Sequence, residues 1–279
     1  MEYQAVLFDL DGTLLPMDQE QFVKTYFGLL VQKVAPLGYD AKQLIDSIWK
    51  GTYAMIHNDG SCMNYDRFWE VFVSIYGEEK LKDKEVFDSF YAHEFQAAKQ
   101  VCGFNPLSKK IVDACKEKGR VVLATNPIFP QVATHSRIRW AGLEPDDFEY
   151  ITTYENSRFC KPNPYYYREI LEQRNLDPKK CLMVGNDVQE DMITRELGMD
   201  TYLITDCLIN SKNKDLNVYK KGSMEDFLTV YSVLRALFFM KKRIAKILKN
   251  LNIVFVTLFD HIFRPYACLY FTDMSFLQQ

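Results

Sequence analysis

The sequence predicts an α/β protein: a parallel sheet covered by helices on both faces, with an all-helical second domain inserted after the first strand. Three observations predict it. Short unbroken apolar runs recur along the chain, as strands buried on both faces require. Helix-length amphipathic segments lie between most of them, as crossover connections do. From about residue 18 to residue 100, periodic helical segments follow one another with no strand among them.

The first strand is Ala5-Val6-Leu7-Phe8, directly before a cluster of acids and a glycine. Four helical segments follow, over roughly 19–35, 40–57, 64–76 and 83–99. Their aromatic residues, among them Phe22, Tyr26, Trp49, Trp69, Phe72, Phe90 and Phe95, recur at helical spacing and are expected to fill a small helical core. Pro106 to Lys118 is a further helix stopped by Gly119, and the second strand runs from Arg120 to Thr125. Strands are then expected over 148–152, 181–185 and 201–205, with helices over 164–174 and 188–197, the last ending at Gly198. The domains expected are an α/β core (1–15 and 103–232), a helical insert (16–102) and a C-terminal extension (233–279).

Composition narrows the function classes. With 279 residues, 48% hydrophobic and 14% aromatic, the chain has ample apolar surface for one large or two modest domains, which argues against disorder. A formal charge of −3 gives no reason to expect nucleic acid as a partner. Seven scattered cysteines with no C-x-x-C pair suggest reduced thiols and a cytoplasmic protein, rather than a disulfide frame or a zinc site. No secretory signal and no apolar run long enough to span a membrane are seen. The extension differs from the rest. Residues 236–279 hold six basic and two acidic side chains, +4, which leaves −7 elsewhere. Leu237, Met240, Ile244, Ile247 and Leu251 form an apolar stripe beside Lys242, Arg243, Lys246 and Lys249. Such a helix suits an anionic membrane surface or an acidic partner, or else packs on the body or trails as an unstructured appendage.

Four constellations stand just after expected strands, where ligands bind in open parallel sheets. In Asp9-Leu10-Asp11-Gly12-Thr13, residues two apart in extended backbone face one side, so both carboxylates can enter one pocket. Crowding would split their proton affinities, leaving one ionised as nucleophile or metal ligand and one protonated as acid. Thr125-Asn126-Pro127 offers a hydroxyl and backbone N–H groups to an anionic oxygen, though Asn-Pro also starts ordinary turns. In Lys161-Pro162-Asn163-Pro164 the prolines stiffen the backbone around a cation that would partner carboxylate and phosphate. Gly185-Asn186-Asp187-Val188-Gln189-Glu190-Asp191 places Asp187 and Asp191 on one helix face, either capping that helix or joining Asp9 around a hydrated Mg²⁺. No glycine-rich phosphate loop, His-based metal motif or nucleophile-elbow serine is present.

In this order, at these strand ends, the motifs resemble those of the haloacid dehalogenase superfamily over roughly residues 1–230. The resemblance implies a Rossmann-like core, a helical cap formed by the insert, and hydrolysis of a small phosphorylated metabolite with Mg²⁺. It makes Asp9 the nucleophile and a metal ligand. Asp11 would be the acid and base, giving its backbone carbonyl to the metal. Thr125 and Asn126 would bind phosphate oxygens, and Lys161 would neutralise Asp9 and the transferring group. The family often reads Gly-Asp where this chain reads Gly185-Asn186. Either the acid has moved to Asp187, the reading favoured here, or Asn186 supplies a neutral oxygen with Asp187 beside it and Asp191 close behind. Dehalogenases of the family lack the second acid, so Asp11 argues for a phosphate ester. The alternatives are a phosphomutase or phosphotransferase on the same core, or a non-catalytic protein that binds partners through the basic extension.

Overall fold

The computed structural model describes residues 3–231, so the extension expected over 233–279 lies outside the described residues. Strand β1 (Ala5–Phe8) is buried along its whole length. It lies between β2 (Arg120–Leu123) and β4 (Cys181–Gly185), in parallel register with both: Val6 stands opposite Val121 on one side and Leu182 on the other. The sheet continues to β3 (Tyr150–Ile151) beyond β2, and to β5 (Asp200–Ile204) and β6 (Lys221–Gly222) beyond β4. Its order is β3-β2-β1-β4-β5-β6, with every pairing parallel. The run 148–152 shrinks to two strand residues, because Pro145–Asp147 just before it forms a 3₁₀ turn. β6, also two residues long, carries no apolar run.

Both faces of β1 pack. Ala5 and Leu7 join Val122, Met183 and residues of α7 (Pro164–Gln173), including Tyr166, Tyr167 and Ile170. Phe8 points the other way, its ring edge-on to Phe227 at 6.2 Å. Side chains of this size, fully buried, each contribute roughly 1.5–3 kcal/mol. That burial fixes the register of the strand that ends at Asp9.

Between β1 and β2 the chain forms α1 (Gln19–Val34), α2 (Ala41–Ile56), α3 (Asn64–Tyr76) and α4 (Lys84–Ala92). Asp18 and Asp40 cap the first two by accepting the N–H of Gln21 and Gln43. The fourth expected helix is split. The backbone leaves α geometry at His93 (φ −120°, ψ −78°) and continues as a 3₁₀ segment, Glu94–Val101. Phe95 there sits among Phe22, Tyr26, Phe90 and Tyr91, while Trp69, Phe72 and Phe87 form a second aromatic group. Trp49 departs from the expected core, with half of it exposed.

After α5 (Leu107–Lys116) and β2 comes α6 (Gln131–Trp140), which the apolar pattern does not predict. Its buried residues include Thr134, Ser136 and Arg137 beside Ala133 and Ile138, so it carries no continuous apolar stripe. The helix expected over 188–197 is also corrected: a turn covers 187–191, and only Met192–Leu197 is helical, as 3₁₀, ending on Gly198 in the left-handed region (φ +86°). No helix among the described residues is long and apolar enough to cross a membrane.

Candidate active site

The strand order reverses at β1: the chain next adds β2 and β3 on one side, then β4 to β6 on the other. Loops leaving β1, β2 and β4 therefore meet at one point. The ladder runs to its edge, with Asp9 N–H donating to Val184 O (2.9 Å) and Ala124 N–H to Phe8 O (2.7 Å). Asp9 is thus fixed by the sheet although only 7% of it is exposed. Beyond it the chain turns through Gly12 (φ +90°), with Leu15 N–H closing on Leu10 O at 2.8 Å. A side chain at Gly12 would strike the Asn186 amide, its Cβ only 2.3 Å from Nδ2.

Lys161 reaches the same point from the segment before α7. Its ammonium, 1% exposed, donates to Asp9 Oδ1 (2.8 Å) and Asp191 Oδ1 (2.7 Å). Burial alone would lower its pKa; the Asp191 and Asp9 carboxylates outweigh burial and hold it well above the ordinary lysine value. Asp191 also accepts the N–H of Asp187 (3.0 Å) on Oδ2, and burial raises its pKa to about 7 despite Lys161, with Asp9 adding to the rise. A Cβ at Gly185 would lie 2.1 Å from that oxygen, so this crossing of chains needs glycine.

Thr13 ties the β1 loop to the β4 loop. Its hydroxyl lies 3.2 Å from Asp9 Oδ2 and 3.0 Å from Asn186 Oδ1, while Asn186 Nδ2 donates to Cys207 O (2.6 Å). Asp187 was the expected oxygen donor beside Asp9, but the contact shared with Asp9 belongs to Asn186. Asp187 Oδ1 instead accepts the N–H groups of Gln189 (2.7 Å) and Glu190 (2.9 Å), closing its own turn. With no α-helix started there, Asp187 and Asp191 do not share a helix face.

From the β2 loop, Thr125 is buried and its carbonyl accepts the hydroxyls of Thr152 (2.7 Å) and Tyr166 (2.8 Å). Asn126 acts as a strut: Oδ1 accepts Lys161 N–H (3.3 Å) and Nδ2 donates to both Glu190 oxygens (3.2 Å each). Burial lifts the Glu190 carboxyl to about 8.

Asp11 has a partner the sequence does not reveal. Arg137 of α6, 1% exposed, donates through Nη1 to Asp11 Oδ2. Burial raises the Asp11 pKa, against the pull of Arg137 and with help from Asp9. Arg137 went unnoticed because α6 lacks a periodic stripe, and Glu190 because it stands among acids that read as helix caps.

The side chains present suit a small hard cation. Asp9 Oδ2 and Asn186 Oδ1 converge on one hydroxyl. No group of three or more His, Cys, Asp or Glu among the described residues is arranged to enclose a metal. That donor set fits Mg²⁺, which keeps several waters and takes few protein oxygens, rather than a caged ion.

An open parallel sheet with paired strand-end acids and a buried lysine at its switch point defines a class of α/β enzyme. The chain belongs to the haloacid dehalogenase-like hydrolase family, whose model matches residues 3–194. It is 25% identical over 222 residues to a glyceraldehyde 3-phosphate phosphatase of Methanothermobacter thermautotrophicus, covering 78% of this chain and 92% of that one. It is 23% identical over 210 residues to a phosphoglycolate phosphatase of Vibrio parahaemolyticus, covering 73% and 84%. The fold is similar to that of the hydrolase YfnB from Bacillus subtilis, solved bound to magnesium, with a TM-score of 0.52, 17% identity and coverage of 83% and 100%.

Proposed function

We propose that this protein is a Mg²⁺-dependent phosphatase that hydrolyses small phosphate monoesters through an aspartyl-phosphate on Asp9. The observation that carries the proposal is the buried contact of Lys161 with Asp9 at the sheet edge, with Asp11 two residues away and anchored separately by Arg137. Family membership and the phosphatase names of two relatives support the same reading.

In the first half-reaction an Asp9 oxygen attacks phosphorus in line with the leaving oxygen. The P–O(alkyl) bond breaks as the Asp9–phosphorus bond forms, and Asp11 gives its proton to the departing alkoxide. In the second, Asp11 takes a proton from water as that water attacks phosphorus, which releases inorganic phosphate and restores both carboxyl groups. Lys161 holds Asp9 in place and offsets phosphate charge. The Thr125 hydroxyl and the Asn126 backbone N–H bind the non-reacting oxygens. Asp9 and Asn186, with the Asp11 carbonyl, would hold Mg²⁺, which when bound supplies charge neutralisation for the phosphoryl group. Asn186 takes this role in preference to Asp187 because it, and not Asp187, shares Thr13 with Asp9. Asp191 holds Lys161 from the opposite side.

The helical insert, 16–102, serves as a cap that excludes water while the chemistry proceeds. The six cysteines among the described residues are all free thiols, which suits a reducing cytoplasm.

The test is turnover of p-nitrophenyl phosphate and a panel of metabolite phosphates, with and without Mg²⁺, by the wild type and Asp9→Asn. Mg²⁺-dependent turnover lost in the near-isosteric variant is expected. Inertness of the wild type across the whole panel would overturn the proposal.

A further inference from the structure

We propose that Arg137 is a positioning residue for the proton donor: it anchors one oxygen of Asp11 so that the other faces the leaving group. The inference rests on the phosphatase reading. Arg137 is the largest side chain among the described residues buried to within 2% of complete enclosure, and its Nη1 is spent on Asp11 Oδ2. Its Nη2 makes only a long contact with Thr134 Oγ1 (3.4 Å).

Arg–carboxylate pairs are frequently bidentate, with two parallel N–H···O bonds that add both strength and geometric definition. This pair is not. Asp11 Oδ1 and Arg137 Nε are both buried and both lack a partner. A buried polar atom left unmatched has lost its water without gaining a partner, which is unfavourable. The protein accepts that cost where the first acid of the motif has its companion. The unmatched oxygen is the one available to carry a transferable proton.

The guanidinium is held from its other side as well. It stacks on the Phe129 ring at 4.5 Å. Phe129 in turn meets Tyr26 at 5.5 Å and Phe22 at 6.2 Å, both on α1, and Phe95 at 6.3 Å in the 3₁₀ segment. Rings of the helical insert therefore press Phe129 onto Arg137, and Arg137 onto Asp11. The orientation of the acid depends on a chain of contacts that begins outside the sheet.

The proton balance is that of the proposed reaction. Oδ1 gives its proton to the ester oxygen as the P–O bond breaks, the resulting carboxylate keeps its anchored Oδ2 on Arg137, and the attacking water returns the proton. In this role Arg137 acts through Asp11, its ion-pair partner, and not on the phosphate or the leaving group. Its loss should therefore matter most where protonation matters most.

The experiment compares kcat/KM for p-nitrophenyl phosphate, a good leaving group, and for an alkyl phosphate, a poor one, using the full chain with Mg²⁺. Variants are Arg137→Met, Arg137→Lys and Phe129→Leu, each alone and in an Asp11→Asn background. Arg137→Met is expected to lose at least about tenfold more activity on the alkyl ester than on the aryl ester, within the range a general acid contributes. Arg137→Lys should recover part of that difference, and neither change should add more than about twofold once Asp11 is Asn. Equal losses on both esters, or full additivity with Asp11→Asn, would overturn the inference. If Arg137→Met does not fold, Arg137→Lys and Phe129→Leu supply the same comparison. Inertness of the wild type on both esters would instead remove the phosphatase reading, and turnover that survives in Asp9→Asn would remove Asp9 as nucleophile, so the failures are distinguishable.

Discussion

Asp9 and Asp11 stand two residues apart and meet different surroundings. Asp9 Oδ1 lies against an ammonium and its Oδ2 against a hydroxyl. Asp11 keeps one oxygen on a guanidinium and one without a partner, and burial raises its pKa. This asymmetry suits a nucleophile beside an acid. Asp11→Asn is therefore expected to cost about 10²–10⁴-fold on alkyl phosphates and much less on p-nitrophenyl phosphate, read as kcat/KM on each ester; equal losses would deny it the role of acid. Glu190 gives a second test at this scale. Its folded pKa, about 8, lies above the ordinary carboxyl value of 4.5, so the fold favours its protonated form. The stability this represents is complete below the unfolded value and is lost as pH rises through the folded one. Glu190→Gln should then gain stability over wild type by up to about 1.4 kcal/mol per pH unit between pH 5 and 8. Urea unfolding of both proteins across that range checks it, and a constant difference would contradict it.

The elements were legible in the sequence to the extent that their burial was simple. β1, β2 and β4 are buried on both faces, so their sequences are unbroken apolar runs and they fall where expected. α6 is different: enclosed on several sides, it buries Thr134, Ser136 and Arg137 through contacts from distant segments, and no local period reveals it. The β4 loop misleads for another reason. Its acids look like helix caps, but Asp187 and Asp191 bond within a turn that delays the helix to Met192. The same loop decides between Asn186 and Asp187, and only the position of Thr13 across the sheet separates them. Two glycines fix these turns. Gly12→Ala combines a positive φ, worth about 1–2 kcal/mol, with a collision against Asn186, whose amide is already bonded to Cys207. It should lower the unfolding free energy by at least that amount and reduce turnover, both measurable on one preparation. Unchanged stability would show that the turn can relax.

Across the whole molecule, one sheet edge gathers segments that begin at residues 9, 125, 161 and 186 and packs an aromatic helical layer before β2. The fold class and the run of helices between β1 and β2 were readable from the rhythm of strands and helices. The coupling of that layer to Asp11 through Phe129 and Arg137 was not, because it joins three elements by single side chains. In the proposed mechanism Mg²⁺ would enter a site whose charged groups are already paired: Lys161 lies on Asp9 and Asp191, and Arg137 on Asp11. Chelation should therefore abolish turnover reversibly and change stability by less than about 1 kcal/mol at Mg²⁺ near its Kd. A metal-free protein that unfolds would contradict this.

Rapid acid quench during turnover of a phosphorus-labelled ester, followed by peptide mapping, tests the central claim most directly. The account predicts one hydroxylamine-sensitive acyl phosphate, on the peptide that contains Asp9 and absent from Asp9→Asn. Label on any other residue, or undiminished turnover by that variant, would contradict it.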